Sequence, residues 1–218
     1  HPFKDYWSIT GPFLDYIQSL FFLIFGINWF SYAFHSSFLN MVLALFTFYF
    51  LFKVGLDKFY SFIYSLGVAI LAYPSIGTPF IDHHAVILSV LSVFSLSLGI
   101  LFKKNLFWFL TSLFLVLSFF SKQIPSTYFL VLFFFIISFC LFYLKNLNRK
   151  NFIFLFSGAL IPLLLIYCVF IINEIPIKNF LNQYIFYPYS LGEERMDVLV
   201  LDFKNLVGQF KFIYLALI

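Results

Sequence analysis

The chain has 218 residues, of which 63% are hydrophobic and 10% charged, and its formal net charge is +4. Soluble domains are nearer half apolar and a quarter charged, so a water-solvated core is excluded and lipid is the expected main solvent. The positive charge comes without a basic cluster interleaved with aromatics, so no nucleic-acid partner is implied.

Phe reaches 37 residues, a bias shared with Ile, Lys and Asn. It fits AT-rich coding better than an aromatic binding surface. Cys140 and Cys168 lie inside apolar runs without metal-type spacing.

The chain opens on His1-Pro2-Phe3-Lys4-Asp5-Tyr6-Trp7, without an initiator Met or a signal peptide, and stops at Ile218 in an unfinished apolar run. A fragment open at both ends is expected. In Pro12–Ile27, Asp15 and Gln18 stand among Phe13, Leu14, Ile17, Leu20, Phe21 and Ile24. Pro12 suits the first turn of a helix, and the segment is too short and polar to cross a bilayer comfortably. It reads as a helix lying in the interface; the alternative is a tilted span.

A span needs about 20 apolar residues to cross about 30 Å of hydrocarbon. Six stretches qualify or nearly do: Ser31–Phe52, Phe59–Tyr73, His84–Phe102, Asn105–Ser121, Ser126–Leu144 and Asn151–Asn173. The second and fourth are short. A seventh begins near Leu206. The expected fold is therefore an all-α, polytopic transmembrane bundle in one domain over 1–218. Residues 1–30 form an external loop with the interfacial helix, 31–173 hold six spans, 174–205 form a second external loop, and 206–218 start a further span. There is no visible internal repeat.

Orientation follows Lys and Arg in short loops. Lys53, Lys58, Lys103, Lys104, Lys145, Arg149 and Lys150 mark the loops at 53–58, 103–104 and 145–150 as cytoplasmic. The segments 1–30, 74–83, 122–125 and 174–205 then face outward. Of the nine acids, only Asp57 falls inside. All four histidines are external or near the outer end of a helix. Two readings explain the skew: a reaction centre on the outer face, or simply longer and wetter external loops.

Three external constellations carry candidate chemistry. Asp82-His83-His84 follows Pro74, Gly77 and Pro79 at the start of the third span. Asp82 is either a helix N-cap or a carboxylate at the membrane boundary that takes a proton, orients an acceptor or binds a metal. His83 and His84 diverge by about 100° on a helix, so the trio is not a metal motif by spacing. Lys122, ending the fourth span before Pro125, is either a snorkelling lysine or a fixed cation for a lipid-linked phosphate. The aromatic segment Gln183-Tyr184-Ile185-Phe186-Tyr187 leads to Arg195, which either binds phosphate or pairs with a nearby acid. P-loop, Rossmann, GxSxG and HExxH motifs are absent, so nucleotide-driven and serine-hydrolase mechanisms have no support.

The order of these features resembles the GT-C membrane glycosyltransferases, in the branch of protein O-mannosyltransferases and lipid A aminoarabinose transferases. Lys4-Asp5-Tyr6-Trp7-Ser8-Ile9-Thr10-Gly11-Pro12, followed by Phe25-Gly26-Ile27-Asn28, resembles that family's first-loop region. Asp82 opening an apolar helix resembles a later external acid. Phe119-Phe120-Ser121-Lys122-Gln123 resembles its helix ending, and Gln183 through Arg195 its aromatic, Arg-containing segment. The resemblance covers nearly all of the chain.

It implies a transferase that moves a sugar from a polyprenyl-phosphate carrier to a lipid, glycan or protein acceptor, on the outer face of a bacterial inner membrane. The roles it implies are catalytic for Asp82 and His83, donor-phosphate binding for Lys122, Arg195 and Lys4, and acceptor or cavity lining for Asp5, His84 and Tyr187. Thr10-Gly11-Pro12 departs from the family's Lys beside Pro, which leaves Lys4 as the substitute. The family's main catalytic carboxylate would lie before His1, so this stretch alone is expected to be inactive. A divalent metal is left open, and no other cofactor is called for. The competing function is a transporter or flippase of lipid-linked sugars, which would place polar groups near the midplane or show broken, repeated helices. A non-catalytic scaffold has nothing specific in its favour.

Overall fold

The computed structural model describes residues 1–74, 77–143 and 147–197, with the side chains of 193–197 excepted. The described chain is all-α apart from one isolated bridge between Pro2 and Tyr6. Its helices are α1 (Pro12–Phe25), α2 (Trp29–Lys53), α3 (Lys58–Leu71), α4 (Ile81–Phe102), α5 (Asn105–Ser121), α6 (Gln123–Phe142), α7 (Arg149–Ile172) and α8 (Ile177–Phe180). A π-helical stretch, Leu181–Phe186, then runs into α9 (Tyr187–Asp197). The further span expected near Leu206 lies outside the described residues.

Among the described residues, four helices, α2, α4, α6 and α7, are long and apolar enough to cross a membrane, which fits a membrane protein. The expectation of six is not met on this measure. At about 1.5 Å per residue, α3 and α5 reach only about 21 and 25 Å. They contain 14 and 17 residues.

Burial explains why lipid suits this bundle. On α2 the buried residues are Ser31, His35, Ser36, Asn40, Leu43 and Thr47. Phe30, Phe34, Phe38, Met41, Leu45 and Phe52 point outward. A soluble amphipathic helix buries the opposite face. With lipid outside, small and polar residues allow close helix packing, while large apolar ones meet acyl chains.

The centre of the bundle follows the same rule. α4 and α5 pack most intimately, and α5 also lies against α1, α6 and α7. The Ser89 and Ser118 hydroxyls are 2.8 Å apart, Ser92 donates to the Thr111 carbonyl at 2.6 Å, and Ser118 donates to the Ala85 carbonyl at 2.8 Å. Gly158 of α7 lets the backbones touch, because an added Cβ would overlap the Phe109 carbonyl of α5.

Long-range bonds sort the helix ends into two groups. At one end the Gly11 N–H donates to Ser121 O, the His83 side chain meets Ala72 O, and Lys4 reaches Asn173 O. At the other end the Asn151 side chain donates to that of Asn105 at 3.3 Å. Residues 53–58, 103–104 and 148–150 belong to this second, lysine-bearing end. The grouping is the one expected from lysine alternation.

Candidate functional site

At the acidic end a cavity of about 810 Å³ opens between the N-terminal loop, the start of α4, the α5–α6 junction and the stretch 185–192. Its walls are Ile9, Thr10, Ile81, Phe119, Lys122, Gln123, Ile124, Thr127, Ile185, Phe186, Pro188, Tyr189, Leu191 and Gly192. Among the described residues, Lys122 is the one charged member of the wall.

The local chain explains where Lys122 sits. α5 ends at Ser121, and Lys122 is extended, at φ −156° and ψ 142°. Ile124 is also non-helical, as the residue before Pro125 tends to be. The break turns the Lys122 side chain across to α4, where its Nζ donates to Asp82 Oδ1 at 2.5 Å. Lys122 is 35% exposed and Asp82 51%, so the pair is wet and adds under about 1 kcal/mol to stability.

Asp82 is not the helix N-cap. Phe80 holds that position, and Asp82 lies in the first turn, where the helix dipole favours its charge. Asp82 also lines a second cavity, of about 420 Å³, between α2, α3 and α4. The Asp82–Lys122 pair therefore forms part of the wall between two cavities.

Neither histidine of the Asp82-His83-His84 run lines the larger cavity. His83 is 8% exposed, stacks on Phe80, and lines the smaller one. Its Nε2 lies 3.1 Å from Ala72 O. His84 is 1% exposed and sits in a buried chain across three helices. His84 Nε2 lies 2.9 Å from His35 Nε2, and His35 Nδ1 lies 2.7 Å from the Gln18 amide.

The polarity of this chain follows from its far end. The Gln18 atom that faces His35 Nδ1 is the amide oxygen, so Nδ1–H donates to it. A neutral His35 then accepts at Nε2 from His84 Nε2–H. His84 Nδ1 lies 3.2 Å from Phe80 O, one turn back on its own helix. His84 is thus a clasp joining α1, α2 and α4, and a sequence reading has no means of pairing it with His35, 49 residues away.

The remaining candidates are dispersed. The Lys4 ammonium donates to Asn173 O at 2.9 Å and lies 3.6 Å from Glu174, so it caps the end of α7 and does not line the cavity. Asp5 is exposed and bonds locally to the His1 nitrogen at 2.5 Å. Tyr187 packs edge-on against Trp7 at 5.5 Å; its neighbours Phe186 and Pro188 line the cavity, and it does not. The side chain of Arg195 lies outside the described residues. Among the described residues, no group of three His, Cys, Asp or Glu is placed to hold a metal ion.

No family model, curated protein or solved structure matches this chain. Its function has to be argued from the site itself.

The sequence reading missed the residues that hold the cavity together. Tyr184 is fully buried in the π-helical stretch. Its hydroxyl donates to Phe119 O, and its own carbonyl accepts from the Gln123 side chain. Burial pushes its phenol well above the ordinary value. Gln183 accepts from the Ser8 N–H at 2.9 Å. A π-turn often marks a functional place, but its extra residue cannot be read from composition.

Asp15 was also missed. It accepts from the Tyr6 hydroxyl at 3.2 Å. Desolvation raises the Asp15 carboxyl above the usual carboxylate range. Desolvation, with the charge of Asp15, raises Tyr6 to about 12.

Proposed function

We propose that this chain is the membrane part of a glycosyltransferase that moves a sugar from a polyprenyl-phosphate carrier to an acceptor at the outer face of the membrane. The observation that carries the reading is the Lys122–Asp82 pair at the edge of an 810 Å³ cavity whose other walls are almost entirely apolar. One cation beside an apolar chamber suits an anionic headgroup attached to a long hydrocarbon. In this reading α3 and α5 also cross the bilayer, supported by α2 and by the ring of α1, α4, α6 and α7.

The resting ion pair gives the mechanism its order. An arriving carrier phosphate competes for the Lys122 ammonium, which then leaves Asp82. The acceptor oxygen bonds to the anomeric carbon, and that carbon's bond to the phosphate oxygen breaks. The electron pair leaves on the phosphate, where the cation stabilises it. The acceptor proton passes to a carboxylate; within this chain, Asp82 stands beside the cation. Arg195 would be the second phosphate cation.

The test uses the full-length protein in membranes with a polyprenyl-phosphate sugar. Lys122→Ala is expected to weaken donor binding by roughly ten- to a hundredfold, as loss of a charge-assisted bond does. Asp82→Asn should lower turnover with donor affinity nearly kept. Unchanged donor binding in Lys122→Ala would remove the reading. Movement of labelled carrier across vesicles without product would favour a flippase of lipid-linked sugars, for which the buried Gln18–His35–His84 chain would be the polar element.

A further inference from the structure

The cavity beside Lys122, of about 810 Å³, is too large for a phosphate alone and falls in the range of sites that take whole small molecules. Among the described residues, its polar side chains are Thr10, Lys122, Gln123, Thr127 and Tyr189. All but Lys122 are turned to the protein. The Thr10 hydroxyl lies 3.2 Å from that of Ser8, the Gln123 side chain donates to Tyr184 O, and Thr127 donates to Gln123 O at 2.8 Å. Tyr189 is engaged too. Lys122 is different in kind. Its partner Asp82 is 51% exposed, and a wet pair of this sort holds weakly enough for the ammonium to change partners.

Such a wall suits a hydrocarbon and fits a sugar badly. A glycosyl group carries several hydroxyls, and each one sealed in without a partner would cost about five- to a hundredfold in affinity. A hydrocarbon has no such groups, and Ile9, Ile81, Phe119, Ile185 and Leu191 offer it apolar surface. The phosphate then stays at Lys122, where the chamber meets water, and the sugar stays on the wet side.

We infer that this site recognises a polyprenyl phosphate by its tail and its charge alone, so that the sugar-free carrier binds at least as tightly as the sugar-loaded one. The inference rests on the transferase reading and concerns its regulation: the carrier left after transfer holds the site against the next donor. The charges favour this order. A sugar-loaded carrier is a phosphate diester with a single negative charge. The freed carrier is a monoester with about −1.5 to −2 at neutral pH. It competes with Asp82 for Lys122 with the stronger attraction.

The experiment is photolabelling of the full-length protein in lipid nanodiscs with a diazirine-bearing decaprenyl phosphate. Label is expected on α6 and on the stretch 185–192. Unlabelled decaprenyl phosphate and its mannosyl and glucosyl esters should compete within about threefold of one another, with the sugar-free form equal or best. Decaprenol lacks the charge and should be about ten- to a hundredfold weaker. Mannose 1-phosphate lacks the tail and should not compete. Lys122→Ala should erase the advantage of the phosphates over decaprenol, and Lys122→Arg should keep most of it. In the transfer assay, decaprenyl phosphate should raise the donor KM and leave kcat unchanged. A sugar ester that competes more than about tenfold better than the sugar-free phosphate, competition by mannose 1-phosphate, or an unchanged KM would overturn the inference. The transferase reading fails on a different result, unchanged binding of the sugar esters in Lys122→Ala.

Discussion

The acidic end of the bundle and the lysine end use different kinds of bond. At the acidic end, partners are far apart in sequence: Ser8 with Gln183, Asn179 with Phe3, Lys122 with Asp82. Phe3 even accepts a left-handed φ of 65° to sit among Phe170, Phe180 and Tyr184. At the lysine end the bonds are mostly local. Asp57 caps α3 through the Phe59 N–H, Asn148 and Asn151 form a capping box on α7, and Lys53 lies over the Tyr49 ring. Lys53, Lys58, Lys103, Lys104, Arg149 and Lys150 are exposed. One end is assembled from distant segments around large cavities; the other mainly terminates helices, with Asn105–Asn151 as its long-range bond.

The largest effect should come from giving Gly11 a side chain. Its Cβ would overlap the Phe120 carbonyl, at the point where the N-terminal loop docks on α5. Gly11→Ala should therefore destabilise at or beyond the upper end of the about 1–3 kcal/mol typical of overpacking. It should lower the thermal midpoint in detergent more than any lysine-end substitution. A midpoint equal to the parent's would mean that this end is loosely assembled and the contrast false.

The buried clasp should come next. His35→Phe leaves His84 and Gln18 without their partner, an effect of about 1–3 kcal/mol. The double substitution His35→Phe with His84→Phe should lose less than the two single losses added together, because no imidazole remains unpaired. Simple additivity in the same melting experiment would show that the two rings do not act as one unit.

A smaller change of opposite sign is expected at the lysine end. Lys103 closes α4 at φ 54°, in the left-handed region, with its N–H on Gly99 O. Lys103→Gly removes the Cβ conflict and should raise stability by up to about 1 kcal/mol. Destabilisation would reveal a role for this lysine that its exposure does not suggest.

The smallest effect concerns Asp15 and pH. Its folded carboxyl is raised by desolvation, so its ionisation opposes the folded state. That penalty is fully present above the raised folded value and disappears as pH falls towards the ordinary value of 3.8. Asp15→Asn keeps a partner for Tyr6 and should stabilise at neutral pH, with the gain vanishing near pH 3.8. An equal gain at both pH values would assign it to packing and not to charge.

Local sequence signals were enough to place the helices and their alternation between two ends. Apolar run length, Pro12 in a first turn and short lysine loops are local signals, and local signals survive without a fold. The expected spans begin and end within a few residues of α2 through α7. That Asp82 opens one apolar helix and Lys122 ends another on the same side was legible too. Tertiary structure alone decided the rest. It drew Lys4 away to the end of α7, put Phe80 in place of Asp82 at the N-cap, and joined His84 to His35. It also divided the site into two cavities. Each of these depends on which face of a helix meets which neighbour. In lipid, that choice rests on small residues and buried hydrogen bonds between distant segments, and the outward apolar pattern says little about it.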